Sequence, residues 1–409
     1  MNDMKQQSFS MPLPEPVMFV LDRLYAAGYT AYCVGGCVRD SLMGKVPSDY
    51  DVTTSARPDE MKSVFSGERV VETGLKHGTL TVVRDKMNIE ITTYRIDGDY
   101  GDCRHPESVT FTDRLSDDLC RRDFTVNAMA YSPRDGLVDL YGGQADIRAR
   151  VIRCVGRGEE RFSEDGLRIL RALRFSSVLG FTPDEDCTAA VYRLTPLLSK
   201  ISRERIYAEL TKLICGRNAV QIMRDFAPVI AFSLGTDETA VKNAADSYEK
   251  DSGTPSAVMR YALLLSDCDE KTGERIFDSL KPSREEKRAV LQFLAYRDTR
   301  TPDEYTVRKL ISETDDSFPE MLARFRYLKG KTTAEEYETA VRLSEKIISE
   351  NKCRSLGMLA INGNDLRALG FTGAEIGRAL SFLLDAVMRE ETENSTDKLS
   401  EYAKSYLKK

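Results

Sequence analysis

Apolar side chains along the first 155 residues alternate between two spacings, one typical of helices and one typical of strands. A helical period runs from Val17 to Tyr25, and a second helix is predicted over 37–44, where Gly44 stops it. Strand-like runs include TAYCVGG, YDVTTS, GTLTVVRD and MNIEITTYR, and the last two are predicted to pair through a turn at Asp85–Lys86. This alternation predicts a small α/β domain at 1–155. Beyond it, strand-like runs vanish and amphipathic helical patterns follow one another, which predicts an all-helical remainder.

Composition narrows the class of protein. Of the 409 residues, 41% are hydrophobic and 30% are charged, which is typical of a globular chain. No run of about 18 apolar residues is present, so no membrane span is expected. Nine scattered cysteines without CxxC spacing favour neither a disulfide framework nor a zinc ribbon, and they indicate a reducing cytoplasm. The only two histidines, His77 and His105, argue against a multi-histidine metal site.

A glycine pair followed by two aspartates is the first candidate site. In VGGCVRDSLMGKVPSDYDVTTS, a predicted strand delivers Gly35 and Gly36 to a helix start, where backbone N–H groups can approach a phosphate and Arg39 can reach the same anion. Asp49 and Asp51 lie two apart on the next strand, so both carboxylates face one point. Mg²⁺ prefers one or two carboxylates together with phosphate oxygens. A tight turn and a capping aspartate explain each half alone, but the coupling of the two halves favours a metal-assisted phosphate site.

Glu90 is the candidate third carboxylate of this site. It lies in the middle of MNIEITTYR, where Ile89 and Ile91 are predicted to take the opposite face of the strand. A plain solvent-facing glutamate fits the same alternation, so the pattern leaves both interpretations open.

Charged side chains recur at intervals of three in FSEDGLRILRALRF, which predicts a helix with Ser163 as its N-cap. Neighbours in this row share a face, so Asp165 and Arg168 can present one acceptor edge beside one forked donor edge. Cytosine and adenine offer an amino donor beside a ring-nitrogen acceptor and fit that edge, whereas guanine and uracil present the opposite pattern. The pair is therefore predicted to select CTP and ATP without a nucleic-acid template. A salt-bridged helix face is the plain alternative.

Four motifs in this order, GGxVRD, DxD, RRDFTVNAMA and EDGLRILRALRF, resemble the class II tRNA nucleotidyltransferases and bacterial poly(A) polymerases of the DNA polymerase β superfamily. The resemblance implies an α/β nucleotidyltransferase head with a mixed sheet, followed by an all-α neck, body and tail. In these terms the head spans 1–155, the neck 156–217, the body 218–330 and the tail 331–409.

The resemblance also implies roles for single residues. Arg122, the second arginine of RRD, is expected to contact the incoming triphosphate, and Asp123 and Asn127 are expected to orient the nucleotide or contact its sugar. Asp123 as a mere helix N-cap is the alternative. The further expected nucleotide-binding residues are Gly36, Arg39, Asp165, Arg168, Arg171 and Arg174.

The implied activity is addition of C, C and A from CTP and ATP to the 3′ end of tRNA, with two Mg²⁺ ions held by Asp49 and Asp51. The polar segment 97–106 matches the family's flexible loop in position, which favours complete CCA synthesis, while a plain hairpin connection is the alternative. A poly(A) polymerase, an A-only or CC-only enzyme, and a non-catalytic RNA-binding protein are the other functions left open. The sequence does not determine the oligomeric state.

The helical region is expected to hold the tRNA. Although the formal net charge is −6, residues 146–174 carry eight arginines against five acidic residues, a local excess of three positive charges. Residues 201–217 resemble the family's next motif, which is expected to brace the nucleotide-selecting helix. In 361–387, two helix starts at glycines offer N–H groups to RNA phosphates, with a plain αα-hairpin as the alternative. His77 fits a family position and is expected to form local hydrogen bonds.

Overall fold

The computed structural model describes residues 9–72, 74, 78–98 and 109–406. His77, His105 and the segment 97–106 from residue 99 onward lie outside the described residues, so the expectations about them stay predictions. Asp97 itself belongs to a strand rather than to a loop.

The chain forms two compact units, one made of residues 1–245 with 276–282 and the other of residues 246–275 with 283–409. The predicted α/β head followed by helices is confirmed as the fold class. The finer division into head, neck, body and tail stays a prediction.

Among the described residues, the head contains most of the strands and five α-helices. Its main strands are β1 (Ala31–Val34), β2 (Tyr50–Thr54), β3 (Val70–Val71), β4 (Thr79–Arg84), β5 (Met87–Thr93), β8 (Met129–Ser132) and β9 (Gly136–Asp139). These form one seven-stranded mixed sheet in the order β3-β4-β5-β2-β1-β8-β9, in which β2 and β5 run parallel and the other neighbours run antiparallel. The helices are α1 (Glu15–Ala26), α2 (Gly36–Leu42), α3 (Pro58–Val64), α4 (Leu115–Cys120) and α5 (Gly143–Ala149).

Two further pairs of short strands complete the β structure of the first unit. β6 (Arg95–Asp97) pairs antiparallel with β7 (Val109–Phe111), and β10 (Val151–Ile152) pairs parallel with β11 (Thr182–Pro183). The expectation that no strand follows residue 158 is therefore wrong for β11, where two residues extend the backbone to pair with β10.

The core of the head follows the predicted apolar pattern. Val17 and Leu24 on one face of α1 are fully buried, as are Ile89 and Ile91 on one face of β5. The hairpin between β4 and β5 turns at Asp85 and Lys86, as predicted, and both residues have positive φ. Two successive residues in this conformation match the right-handed twist of the flanking strands. The predicted side of β5 for Ile89 and Ile91 is thus confirmed, and Glu90 lies on the other side.

The rest of the first unit is nearly all helical. Its helices are α6 (Gly158–Glu164), α7 (Leu167–Leu179), α8 (Glu185–Leu194), α9 (Arg203–Ile214), α10 (Ala219–Asp225), α11 (Ala227–Leu234) and α12 (Glu238–Glu249), the last of which runs into the second unit. α7 packs along α9, and the buried hydroxyl of Ser177 donates to the carbonyl of Leu213 across that contact at 2.6 Å. This packing places the candidate base-selecting segment against residues 201–217.

In the described part of the second unit, the regular secondary structure is helical. They are α13 (Ala257–Leu265), α14 (Glu270–Ser279), α15 (Arg284–Tyr296), α16 (Glu304–Glu313), α17 (Phe318–Leu328), α18 (Ala334–Ser349), α19 (Gly363–Ala368), α20 (Ala374–Met388) and α21 (Thr396–Tyr406), and the end of α14 belongs to the first unit. Among the described residues, no helix combines the length and the apolar character that a membrane crossing requires.

The first of the two helix starts predicted in 361–387 has two of its N–H groups occupied. The side chain of Asn362 accepts hydrogen bonds from the backbone of Asn364 and Asp365, and Asp365 accepts one from the backbone of Asn362. This reciprocal cap leaves fewer N–H groups for an RNA phosphate at α19, and RNA contact there stays a prediction. α20 begins at Gly373 without a side-chain cap.

Candidate active site

The glycine pair forms the turn between β1 and α2. Gly35 has a φ of 75°, in the left-handed region that favours glycine. A side chain at this position would also lie 3.1 Å from Nη1 of Arg122. Glycine is therefore required at position 35 both by the backbone conformation and by the approach of Arg122, which comes directly against the predicted phosphate-binding turn.

The strand register brings the predicted carboxylates together. Asp51 in β2 pairs with Glu90 in the parallel strand β5, so both side chains leave the same face of the sheet. The pKa of Asp51 is raised to about 6, first because the surrounding protein desolvates the carboxylate and then because Glu90 and Asp49 repel its charge. The positive charge of Arg122 opposes this shift. The carboxylates of Asp49, Asp51 and Glu90 and the guanidinium of Arg122 therefore interact electrostatically.

This arrangement suits a cation that is completed by its substrate. Within residues 9–72, 74, 78–98 and 109–406, no group of three or more His, Cys, Asp and Glu side chains forms a closed set of metal ligands. Mg²⁺ sites in phosphate-transfer enzymes commonly use one or two carboxylates and take the remaining ligands from substrate phosphates and water. A bound cation would relieve the repulsion that raises the pKa of Asp51, so the residues present fit such an ion.

A buried acid that the sequence did not reveal fixes the RRD arginines. Asp118 in α4 is fully buried, accepts a hydrogen bond from Arg121 at 2.7 Å and another from Arg122 at 3.3 Å. The hydroxyl of Thr53 donates to the same carboxylate at 3.2 Å. Burial alone would raise the pKa of Asp118, but the charges of Arg122 and Arg121 hold it below its usual value. Asp118 therefore keeps Arg122 beside Asp51.

Asp123 joins arginines from the head and the neck. Its Oδ2 accepts hydrogen bonds from Nε and Nη2 of Arg171 at 2.8 and 2.6 Å, and its Oδ1 accepts one from the amide of Asn127 at 3.2 Å. Asn127 in turn accepts one from Arg39 at 2.6 Å. Burial would raise the pKa of Asp123, but Arg171 and Arg168 lower it to about 2. Four of the predicted nucleotide-binding residues thus form one continuous network.

The apolar stretch after RRD does not form the helix that Asp123 would cap in the alternative interpretation. It forms one 3-10 turn at Thr125–Asn127 and then enters β8. The backbone just before the turn is held in an extended conformation, because Phe124 bridges Cys154 and the N–H of Val155 donates to the carbonyl of Asp123. The alternative that Asp123 only caps a helix is therefore excluded, since that helix does not form.

The predicted base-selecting helix is broken between α6 and α7. Ser163 lies inside α6 and donates to the carbonyl of Glu159 at 2.7 Å, so its prediction as the N-cap is wrong. Asp165 has extended backbone angles (φ −136°, ψ 105°), and its Oδ1 accepts from the N–H of Leu167 at 3.0 Å. The short carboxylate of Asp165 satisfies the first turn of α7, with Gly166 between them, and this local hydrogen bond ends the first helix. Of the charged residues spaced three apart, Asp165 therefore lies outside α7, and those from Arg168 onward lie within it.

The Asp165 carboxylate is also held from another helix. Nη2 of Arg205, in α9, donates to its Oδ2 at 2.8 Å. A carboxylate offers about four lone-pair positions, and the contacts with Leu167 and Arg205 use two of them. Asp165 thus keeps acceptor capacity for a ligand.

Arg168 is nearly buried and is held by three acceptors. Its Nη1 donates to Glu164 at 2.5 Å and to the carbonyl of Arg161 at 3.1 Å, and its Nη2 donates to the carbonyl of Arg121 at 3.1 Å. A guanidinium has five N–H groups, so these three hydrogen bonds leave two for a ligand. The structure therefore does not pair Asp165 with Arg168. It fixes each of them through other residues and leaves each with free hydrogen-bonding positions.

Several buried guanidinium atoms around this cleft have no acceptor within the described part of the chain. They are Nε of Arg122, Nε of Arg161 and Nη1 of Arg205. A buried donor without a partner costs about 1–3 kcal/mol. Their concentration beside the acidic residues matches a ligand that supplies several anionic oxygens.

A cavity of about 510 Å³ adjoins these residues. Its wall includes Arg121, which precedes Arg122, and Glu164, which precedes Asp165. Glu164 and Arg161, also in the wall, both accept hydrogen bonds from Arg168. Its complete described lining is Ile96, Asp97, Gly98, Asp117, Cys120, Arg121, Arg161, Ser163 and Glu164. The cavity therefore lies beside the predicted site residues and is not formed by them.

Comparison with known proteins defines the class of protein first. Residues 31–153 match the family described as the poly A polymerase head domain, and residues 180–227 match the family described as a probable RNA and SrmB-binding site of polymerase A. The head, with its acidic centre and arginines, is thus a nucleotidyltransferase domain.

Relatives across the full length then define the family. The chain is 35% identical over 395 residues to a CCA-adding enzyme of Leuconostoc mesenteroides subsp. mesenteroides, covering 95% of each protein. It is 34% identical to a CCA-adding enzyme of Geobacillus kaustophilus, covering 94% of this chain and 95% of that protein. The crystal structure of the Bacillus stearothermophilus CCA-adding enzyme in complex with CTP is similar with a TM-score of 0.80 at 28% identity, over 97% and 98% of the two chains. The chain belongs to the family of CCA-adding enzymes.

The electrostatic account of Asp51 is testable in the metal-free protein. Glu90→Gln removes a repelling charge and should lower the pKa of Asp51 from about 6 toward its ordinary value. Arg122→Gln removes an attracting charge and should raise it further. Carbon-13 NMR titration of labelled aspartate carboxylates measures both shifts. Equal shifts of the same sign in the two variants would contradict the proposed placement of these charges.

The same shift sets the sign of a pH effect on stability. Because the pKa of Asp51 is higher in the folded chain than its ordinary value, the folded state binds the proton more tightly. The contribution of Asp51 to the free energy of unfolding should therefore increase as the pH falls from about 6 to about 4.

Proposed function

We propose that the protein adds C, C and A, from CTP and ATP, to the 3′ end of tRNA, without a nucleic-acid template. One observation carries the proposal: strand pairing, hydrogen bonds and electrostatic interactions link residues of all four motifs, in a chain that matches CCA-adding enzymes over 95% of its length. The location of the enzyme in the cytoplasm stays a prediction from its scattered cysteines.

Members of this nucleotidyltransferase family use a divalent metal, and in this proposal the metal is Mg²⁺. Asp49 and Asp51 would hold it, with Glu90 as the candidate third carboxylate beside them. When bound, such an ion polarises the reacting phosphate and stabilises the charge of the attacking and leaving oxygens. The raised pKa of Asp51 supports this assignment, because the carboxylates repel one another until a positive charge is present.

The arginines of this chain bind and orient the triphosphate. Arg122 lies against the glycine turn with its Nε unsatisfied, and Asp118 keeps it beside Asp51. Arg39 and Arg171 are fixed on the two sides of the Asn127–Asp123 network. Positioning and neutralisation of charge of this kind account for most of the catalysis in phosphate transfer, so no protein base is required.

Asp165 and Arg168 read the base. Each keeps unused hydrogen-bonding positions, an acceptor on Asp165 and two donors on Arg168. These accept the amino group and the ring nitrogen of cytosine or adenine, while guanine and uracil leave both protein groups unpaired. Arg205 holds the side chain of Asp165, and Glu164 holds that of Arg168. The positions of both base-contacting side chains are therefore set before the nucleotide binds.

tRNA is the proposed acceptor. A Thermotoga maritima CCA-adding enzyme, solved in complex with a tRNA, has the same fold with a TM-score of 0.67. The match of residues 180–227 to a probable RNA-binding family supports contact between RNA and the helices within these residues. The arginine excess over 146–174 supplies the positive charge for RNA phosphates.

The activity is tested with tRNA trimmed of its last three nucleotides. Incubation with CTP and ATP should extend it by three nucleotides in the order C, C, A, and product length and sequence measure the result. A tail of many A residues would instead identify a poly(A) polymerase, and addition of A alone or of CC alone would identify a partial enzyme. Binding of tRNA without any extension would identify a non-catalytic RNA-binding protein.

Asp49→Ala tests the acidic centre. It should reduce the rate of nucleotide addition by about 10³-fold, because stabilisation worth several kcal/mol in the transition state is lost. Binding of tRNA, measured by filter retention, should remain within about twofold of the natural chain, since the proposed role of the carboxylate is to hold the metal rather than the RNA backbone. Asp22→Ala, an exposed acid on α1, is the matched control. Normal turnover in Asp49→Ala would contradict the metal role.

Asp165→Ala tests the base-reading edge. Discrimination against UTP and GTP, measured as ratios of kcat/KM, should fall about 10- to 100-fold because one half of the complementary edge is lost. Glu160→Ala removes an exposed acid from α6 and should leave the ratios unchanged. Unaltered discrimination in Asp165→Ala would remove this residue from nucleotide selection, even if overall activity fell.

A further inference from the structure

One aromatic ring lies among three of the predicted nucleotide-binding arginines. Phe175 in α7 is only 6% exposed. The guanidinium carbon of Arg174 lies 3.7 Å from the centre of its ring, that of Arg39 5.2 Å and that of Arg171 5.4 Å. All three are within the range of about 6 Å in which a cation is attracted to an aromatic face.

The ring joins arginines from two parts of the first unit. Arg39 comes from α2 of the head, whereas Arg171 and Arg174 come from α7 of the neck. The ring of Phe124 packs edge-to-face against Phe175, with centroids 5.8 Å apart and planes at 78°, and this contact fixes the ring from the head side. Phe175 thus lies where the two parts present their positive charges to one another.

Three guanidinium groups so close together repel one another before a triphosphate arrives. Each has an acidic partner: Arg39 pairs with Asp40 at 2.8 Å, and Arg174 pairs with Glu209 at 2.5 Å. Arg171 pairs with Asp123 in the network described above. Glu209 also lies 3.9 Å from Nη1 of Arg171, so it holds two of the three arginines, whereas Arg39 pairs with Asp40. The ring is the one described group that contacts all three.

We propose that the Phe175 ring is a positioning group for nucleotide binding, which holds three arginines of the head and neck together as one assembled cationic surface. A cation–π contact stabilises a guanidinium without an acceptor atom, so it leaves N–H groups for phosphate oxygens. The ring also adds no negative charge that would compete with the triphosphate. The inference rests on the proposed function only in that these arginines bind the nucleotide.

A merely structural role for Phe175 makes a different prediction. If the ring only fills space, any side chain of similar shape and apolar character serves equally well. If its π electrons hold the arginines, then nucleotide affinity depends on the electron density of the ring at constant shape. Fluorination separates the two, because each fluorine withdraws electron density from the ring face and changes its size little.

The test is site-specific replacement of Phe175 by 4-fluoro-, 3,5-difluoro- and 3,4,5-trifluorophenylalanine in the full chain. The dissociation constant of CTP, measured by titration calorimetry, should rise with each added fluorine and reach about tenfold for the trifluoro residue. In tRNA extension, KM for CTP should rise in parallel while kcat stays within about twofold. The same replacements at Phe65, a core residue of the head that is 1% exposed, are the matched control and should change neither constant.

Phe175→Leu provides a second variant that keeps apolar volume and removes the ring. It should weaken CTP binding at least as much as the trifluoro residue, with a melting temperature close to that of the fluorinated chains. A CTP dissociation constant that stays flat along the fluorine series would overturn the inference, whether or not tRNA is extended. Absence of CCA addition by the natural chain would overturn the proposed function instead, and the CTP titration would still decide the role of Phe175.

Discussion

Pairing of buried acids with arginines is the interaction on which the rest of the site depends. A triphosphate needs several arginines at one place, and such arginines repel one another in the empty protein. Asp118 and Asp123 meet this constraint, since each is nearly inaccessible, and Asp118 holds Arg121 and Arg122 whereas Asp123 holds Arg171. Breaking a buried pair of this kind costs about 3–5 kcal/mol, because the remaining charge stays buried without a partner. These buried acids therefore keep the arginines that they contact in place before a triphosphate binds.

The site contains two aspartates whose pKa values are shifted in opposite directions. Asp123 lies among arginines, and its pKa is lowered to about 2. Asp51 lies beside Glu90 and Asp49 with one opposing arginine, and its pKa is raised to about 6. Opposite environments give the same chemical group two roles, one as a fixed anchor for arginines and one as a site that favours a cation. The strand register of β2 and β5 produces the second environment, and the extended segment around Asp123 produces the first. An acidic chain can thus serve a polyanionic substrate, because its net charge of −6 says little about the local field.

Local pattern predicted much of the secondary structure of the head. The hairpin turn at Asp85–Lys86 and the buried side of β5 follow from residue type and period alone, and both are confirmed. The errors came where a contact distant in sequence overrides local preference. Ser163 has the chemistry of an N-cap, yet it lies inside α6, and the helix expected after RRD is prevented by pairing with residues 153–155. No spacing rule signals such pairing from a single sequence.

The supporting residues outside the predicted set of site residues share one property. Asp118, Glu164, Arg205 and Glu209 each hold a motif residue rather than belonging to the candidate set. Glu164 and Asp118 stand within four residues of their partners, so helical spacing offers a signal for them. Arg205 lies 40 residues after Asp165, and only the packing of α7 on α9 brings the two together.

The contact between Arg205 and Asp165 changes which interactions the proposed base selection depends on. A continuous helix would have set Asp165 and Arg168 side by side through helical spacing alone, and the pair would then form one salt bridge. The break at Asp165 separates the two side chains, and each forms a hydrogen bond with another residue. Asp165 accepts from Arg205, and Arg168 donates to Glu164. Both groups consequently retain the hydrogen-bonding positions that a base needs, which a direct ion pair would have consumed. In the proposed function, the capacity to read a base therefore depends on tertiary packing against 201–217, and it follows from the interruption of the helix rather than from its regularity.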